Sequence, residues 1–323
     1  IFTILIKRFL TTVLPNNSFT LITMATKRWQ WPERARSCVQ YLAAQIPHEH
    51  DYKSMLCSAI LPLAKLVELR PDLIPLNKAV YFHENQFSMA KKDSDGQIID
   101  YQYGYADMRT CMTANHLLFN SKYNLESFLT AVENYLVIHP SFRLNNLPAE
   151  IKAKSAVVHF PLDLDLIDRC LETTEREPCD LLHIVWPHQW HLDMDPGAFY
   201  KVLLKLEERG YDFKLSILGE VFQMEQKPLF EEMYRRFSNT HLLHFGFVDS
   251  AEDYYTILRN ADVVLSTAVQ EFFAASVLEA VYCGCVPVVP NRLCYKELYL
   301  LYKSAKLLFN RVFNFDDRAS EGF

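Results

Sequence analysis

Glycine is scarce, at 8 in 323 residues, where an average chain carries about 7%. No two glycines stand at the spacing of G-x-G-x-x-G or of a Walker loop, which excludes the dinucleotide and P-loop fingerprints. The cysteines, at 38, 57, 111, 170, 179, 283, 285 and 294, form no C-x-x-C pair. That pattern argues against a zinc ribbon and suits reduced, packed thiols. An excess of positive charge is also lacking: Lys+Arg 33 against Asp+Glu 39 leaves a net charge of −6. Any nucleic-acid partner therefore needs a local basic patch. The apolar opening at residues 1–6 is interrupted by Lys7 and Arg8, far short of the roughly 20 residues that cross a bilayer. No membrane contact is expected, and a cytoplasmic place is, with the nucleus as the alternative. The chain opens on Ile1 rather than Met, which reads as a fragment whose true start is missing.

What is present is a half-apolar chain about twice the length of one common domain, so two domains are predicted. Strands over 181–186, 213–218, 241–245, 261–267 and 286–289 alternate with helices over 196–209, 228–237, 251–260 and 272–283. Such alternation predicts a doubly wound parallel sheet with ligands at the carboxyl ends of the strands, so the loops after Trp186, Leu218 and Thr267 should face a ligand. The first half repeats the theme with strands over 21–24, 79–82, 117–120 and 156–160 and helices over 51–69 and 124–136. The stretch from Pro161 to Asp180 is acidic with a proline near each end, and within it 166–180 is the predicted linker between a first domain, 1–165, and a second, 181–305, with a polar tail over 306–323. Two Rossmann-like α/β domains facing across a cleft is the architecture this implies.

Glu271 and Glu279 bracket a helix entrance and lie about 12 Å apart along the helix axis. Amides at 273–276 are predicted to meet a diphosphate or sugar oxygen with the help of the helix dipole. The plainer alternative makes Glu271 a helix-start acid and Glu279 a solvated helix residue. His83-Glu84-Asn85-Gln86 follows a predicted strand, and a His-Glu pair can orient hydroxyls or share a proton near neutral pH. Gln102 and Tyr103 can bond or stack on a base, or belong to the core. Lys27 and Arg28, with Arg34 and Arg36, flank Trp29 and Trp31, the interleaving of cations and stacking surfaces that RNA contact requires. His183, His188, His191, Asp193 and Asp195 are the residues a metal would need, but their spacing fits no ligand motif, and no metal is expected.

The segment from Glu271 through Glu279 to Cys285 resembles the E-x7-E segment of retaining family 4 glycosyltransferases with the GT-B fold. More narrowly, residues 27–31, 81–86 and 102–105, Phe119-Asn120-Ser121 with Asn124, and Ile184-Val185-Trp186-Pro187-His188 resemble the tRNA-queuosine mannosyltransferases, in family order. The resemblance runs over about residues 20–298. It implies a retaining hexosyltransferase that moves mannose from GDP-mannose to queuosine at the wobble position of aspartate tRNA, without a metal or other cofactor. It further implies His83, Glu84 and Glu271 as catalytic residues and His188, Gln189, Phe273, Ala274, Ala275 and Glu279 as donor contacts. Lys27, Arg28, Trp29, Trp31, Asn85, Gln86, Gln102, Tyr103 and Asn120 would meet the acceptor tRNA. The chain departs from the family pattern at positions that bear on the donor. Its P-H-R-W-E-x-D-K segment has Gln189 and Met194 here in place of the two cations, and Ala274 stands where the family has glycine, so a methyl is expected to crowd the donor. In the enzyme reading Lys214 or Arg292 would substitute for the lost cations; the alternative is a catalytically weakened or inactive paralogue or fragment that binds tRNA or a nucleotide sugar.

Overall fold

The computed structural model describes residues 18–24, 31–87, 101–139, 144–172, 174–176, 179–220 and 226–298, with backbone alone over 31–37. The chain divides into two compact units, Ile1–Pro161 and Leu162–Phe323.

In the first unit four parallel strands, β1 (Ser54–Ser58), β2 (Asn77–Phe82), β3 (His116–Phe119) and β4 (Ser155–Val157), lie in sequence order. Helices α1 (Trp31–Gln45), α2 (Leu63–Leu69), α3 (Gln102–Thr113), α4 (Lys122–Ile138) and α5 (Leu147–Ala153) connect and flank them. Val80, Tyr81 and Phe82 are consecutive and all buried, as a parallel strand covered on both faces requires. Helix α4 is capped by Ser121, which accepts from the Asn124 amide, and buries Asn124, Phe128, Val132 and Tyr135 along one stripe. The helix predicted over 51–69 is corrected to β1 followed by α2, which starts after Pro62. Pairing of β1 with β2 outweighs the helical period that the residues show on their own. The strand predicted over 21–24 is not regular structure.

In the second unit β5 (Leu182–Pro187), β6 (Phe213–Leu218), β7 (Leu242–Gly246), β8 (Val263–Leu265) and β9 (Val286–Val288) form one parallel sheet in the order β7-β6-β5-β8-β9. The helices are α6 (Leu164–Glu172), α7 (Pro196–Glu208), α8 (Lys227–Phe237), α9 (Ala251–Asn260) and α10 (Ala275–Tyr282). Trp186, Phe199, Leu203, Phe213, Ile217, Met233 and Phe237 fill the core. The first part of the stretch read as a linker, residues 166–172, belongs to α6. It buries Ile167 and Cys170, and its Asp168 accepts a hydrogen bond from the Tyr282 hydroxyl at 2.9 Å. Its acidic outer face masks that apolar stripe in the sequence. Chain order runs outward from β5 through β6 to β7 and resumes at β8 on the other side of β5, so a topological switch point lies between β5 and β8.

Candidate active site

The loops that leave β5 and β8 at the switch point are tied to each other. The Asp193 carbonyl accepts from the amides of Val269, at 2.8 Å, and Gln270, at 3.1 Å. The Thr267 hydroxyl lies 2.7 Å from the Met194 carbonyl and 3.0 Å from that of Asp195. Asp195 sits in the left-handed region at φ 44 and caps α7 by accepting from the Ala198 amide. The loop after β6 joins the same assembly. The Trp190 indole donates to the Leu218 carbonyl at 3.1 Å and its backbone amide to the Glu220 carbonyl at 3.0 Å. Gly219, at φ +105, leaves no room for a side chain: a Cβ there would lie 2.1 Å from the His188 carbonyl oxygen.

His188 follows β5 directly and is buried. Burial pushes its imidazole down to about 4, so it is neutral at pH 7. Its Nε2, like Nε1 of neighbouring Trp186, is buried with no hydrogen-bond partner among the described residues. Gln189 is exposed. Lys214 is the second residue of β6 and pairs in register with His183. That places it roughly 13 Å from the carboxyl end of the strand, so it supplies no substitute cation at the loops. Arg292 does reach the loop after β8, where its guanidinium lies 3.4 Å from the Ala268 carbonyl.

Glu271 is held by its own segment. Its Oε1 accepts from the amides of Phe272, at 2.9 Å, and Phe273, at 3.1 Å. The prediction of a free amide at 273 is therefore corrected, and the Phe273 side chain is buried in the core. Ala274 is buried at φ 57 and ψ 47 as the residue before α10, and no side chain caps that helix start. Alanine in place of glycine here carries left-handed backbone strain. The amides of Ala275 and Ser276 form the first turn, outside the helix's own ladder. Eight residues beyond Glu271, Glu279 is half-buried, not solvated. Its Oε2 accepts from the Tyr254 hydroxyl at 3.2 Å and its Oε1 from that of Tyr255 at 3.5 Å. Burial raises its carboxyl above the ordinary range, and the two tyrosine bonds pull it partly back.

Two of the three histidines weighed as metal ligands, His183 and His191, are otherwise engaged. His183 bonds the Asn260 carbonyl at 3.0 Å and the Ser216 hydroxyl at 2.7 Å, and His191 Nδ1 accepts from the Asp193 amide at 3.2 Å. Among the described residues no three His, Cys, Asp or Glu side chains are grouped to hold a metal.

In the first unit, His83 to Gln86 follow β2, as predicted. Burial pushes His83 down to about 4, which corrects the idea that it shares a proton near neutral pH. Glu84 accepts from the Gln86 side-chain amide at 2.9 Å, and the Gln86 backbone amide donates to Asp107 Oδ2 at 2.9 Å. Asp107 is buried, and burial, with the nearby Glu84 charge, holds its carboxyl well above the ordinary range. Asn85 and Asn120, read as acceptor contacts, are instead buried in a polar lattice. Asn85 donates to Asn124 Oδ1 at 3.0 Å and to Ser127 Oγ at 3.1 Å. Asn124 donates to Asn120 Oδ1 at 2.9 Å, and Asn120 to the His83 carbonyl at 2.5 Å. These amides lock the loop after β2 to the start of α4. Gln102 is exposed and Tyr103 half-buried at the start of α3. Gly104 lies against Phe87, where a Cβ would stand 2.6 Å from the ring. Lys27, Arg28 and Trp29 lie outside the described residues, as does the side chain of Trp31.

Comparison with known proteins gives this geometry its family. A profile described as tRNA-queuosine alpha-mannosyltransferase N-terminal matches residues 5–162. The Drosophila melanogaster tRNA-queuosine alpha-mannosyltransferase is 35% identical over 303 residues, 91% of this chain and 78% of the fly protein. The chain belongs to the tRNA-queuosine α-mannosyltransferase family. As a member of it, the chain also carries a Glycosyl transferases group 1 match over residues 196–311, which contains the Glu271 to Glu279 segment. Its fold is GT-B. A UDP-forming α,α-trehalose-phosphate synthase from Burkholderia xenovorans superposes with a TM-score of 0.58 at 13% identity, over 84% of this chain and 66% of that one. Starch synthase IV from Arabidopsis thaliana, bound to ADP and acarbose, gives 0.56 at 11%, over 82% and 61%. Sequence reasoning missed Tyr254, Tyr255 and Thr267 in the second unit and Asp107 in the first. All four act on residues 21 to 73 positions away in the chain, and no local pattern marks such pairs.

Proposed function

We propose that this chain transfers mannose from GDP-mannose to queuosine at the wobble position of aspartate tRNA, with retention at the anomeric carbon. The observation that carries the reading is the 35% identity to the fly tRNA-queuosine alpha-mannosyltransferase, extending over 91% of the chain. The switch-point geometry supports it. In this reading the diphosphate meets the first-turn amides of α10 at Ala275 and Ser276, where the helix dipole favours an anion. Arg292 contributes charge from the loop after β8, and Glu279 accepts the ribose hydroxyls. Glu271 approaches the donor sugar, held in one orientation by two backbone amides. The His83–Gln86 loop receives the acceptor, with neutral His83 and Glu84 orienting its hydroxyl. The departing phosphate takes the acceptor proton on the same face, so the protein's part is positioning and charge stabilisation. No metal is needed, and the acceptor RNA meets the Lys27 to Trp31 segment.

Incubation with queuosine-bearing aspartate tRNA and GDP-mannose, followed by mass spectrometry of the nucleosides, is expected to show one added hexose, unchanged by EDTA. An unmodified nucleoside sinks the reading. A second reading, a binder that holds nucleotide without turnover, is favoured by the strained Ala274 and by the missing cations at Gln189 and Met194. Recovery of turnover in the Gln189→Arg, Met194→Lys variant identifies a weakened enzyme; nucleotide binding without turnover in that variant identifies the binder.

A further inference from the structure

Helix α9 places two adjacent tyrosines against one carboxylate. Tyr254 and Tyr255 meet edge to face, ring centroids 5.2 Å apart, and each hydroxyl bonds a different oxygen of Glu279. A side chain with several rotatable bonds is thereby fixed at both acceptor atoms. An ionised carboxylate offers about four lone-pair sites. With one site on each oxygen taken by a tyrosine, one on each oxygen remains, which is the pattern that two hydroxyls on neighbouring carbons can satisfy together. Tyr255 is 6% exposed while Glu279 is half-buried, so the clamp is packed into the protein and the carboxylate is still reachable.

We propose that Tyr254 and Tyr255 are positioning residues that make the Glu279 site selective for a ribonucleoside over a 2′-deoxyribonucleoside diphosphate. The inference rests on the reading above in which Glu279 holds the ribose. A carboxylate free to rotate would meet a single hydroxyl nearly as well as a pair; one pinned at both oxygens loses an acceptor contact that cannot be made elsewhere when the 2′-hydroxyl is absent.

The test titrates GDP and 2′-deoxy-GDP into the full chain and into Tyr254→Phe, Tyr255→Phe and the double variant by calorimetry, with thermal unfolding as the control for folding. The wild type is expected to prefer GDP by about ten-fold or more, the scale of a hydrogen bond to a charged group. In Tyr254→Phe and in the double variant the preference falls below about three-fold while the affinity for 2′-deoxy-GDP barely moves. In turnover, KM for GDP-mannose rises with kcat nearly unchanged. Tyr254 is the more accessible of the two, so its variant reports even where loss of the Tyr255 hydroxyl lowers stability. Full retention of the GDP preference in folded variants overturns the positioning role while leaving Glu279 as the ribose ligand. A wild type that does not separate the two nucleotides, or binds neither, overturns the ribose reading itself and the clamp with it.

Discussion

Ala274 carries strain that its side chain does not repay. At φ 57 an alanine is about 1 kcal/mol worse than glycine, because Cβ approaches the following carbonyl oxygen. Ala274→Gly is therefore expected to raise the urea midpoint slightly, by a stability gain of about 0.5 kcal/mol once the entropy of the freer unfolded chain is subtracted, with an unchanged m-value. A lower midpoint shows that the left-handed conformation is not the cost. Glu279 gives a pH signature. Its folded-state carboxyl is raised by burial, so the folded protein holds the proton more tightly than the unfolded chain. Stability linked to this group is fully present below the ordinary glutamate range and is lost as pH rises through the folded value. Glu279→Gln removes that loss. The variant is expected to exceed the wild type in melting temperature at pH 7, with the gap closing toward pH 4, and to bind GDP more weakly at pH 7. Parallel melting profiles across this range contradict the assignment.

Between elements, the joint that matters is Thr267, whose hydroxyl reaches the loop at the start of α7 from the end of β8. Valine keeps its shape and removes the donor, leaving the carbonyls of Met194 and Asp195 without it. Thr267→Val is expected to cost about 1–3 kcal/mol in chemical denaturation and to raise KM for the nucleotide sugar several-fold, because the loops after β5 and β8 are no longer registered. An unchanged KM with lowered stability assigns Thr267 to folding alone. In the first unit the lattice of Asn85, Asn120, Asn124 and Ser127 plays the same part at the start of α4. Buried amides hold a turn there because each donor has an acceptor in place.

At the scale of the molecule, two units with separate parallel sheets and separate apolar cores make two calorimetric transitions the expectation. The nucleotide contacts proposed above all lie in the second unit. GDP at a hundred times its Kd should stabilise that unit by about 2.7 kcal/mol and move one transition upward while the other stays in place. Both moving together would mean that the units unfold as one.

Much of the second unit was legible from the chain. Helix α9 and strand β6 match their predicted bounds, because hydrophobic period, a serine cap and short connections all act within a few residues. In the same way Glu271 and Glu279 stand out as two acids spaced on one segment. The first unit was less legible: residues 51–69 have a helical period of apolar side chains, and only pairing with β2 makes part of them a strand. The role of each polar group was beyond local reading. Asn85 and Asn120 carry the same amides whether they face solvent or one another, and burial in the folded unit decides between contact and scaffold. Glu279 has an accessible acid's sequence and a tyrosine-clamped acid's environment, since its partners come from a helix some 25 residues earlier. Short-range sterics and hydrophobic period are written along the chain, whereas hydrogen-bond partners and desolvation belong to groups that meet only after folding.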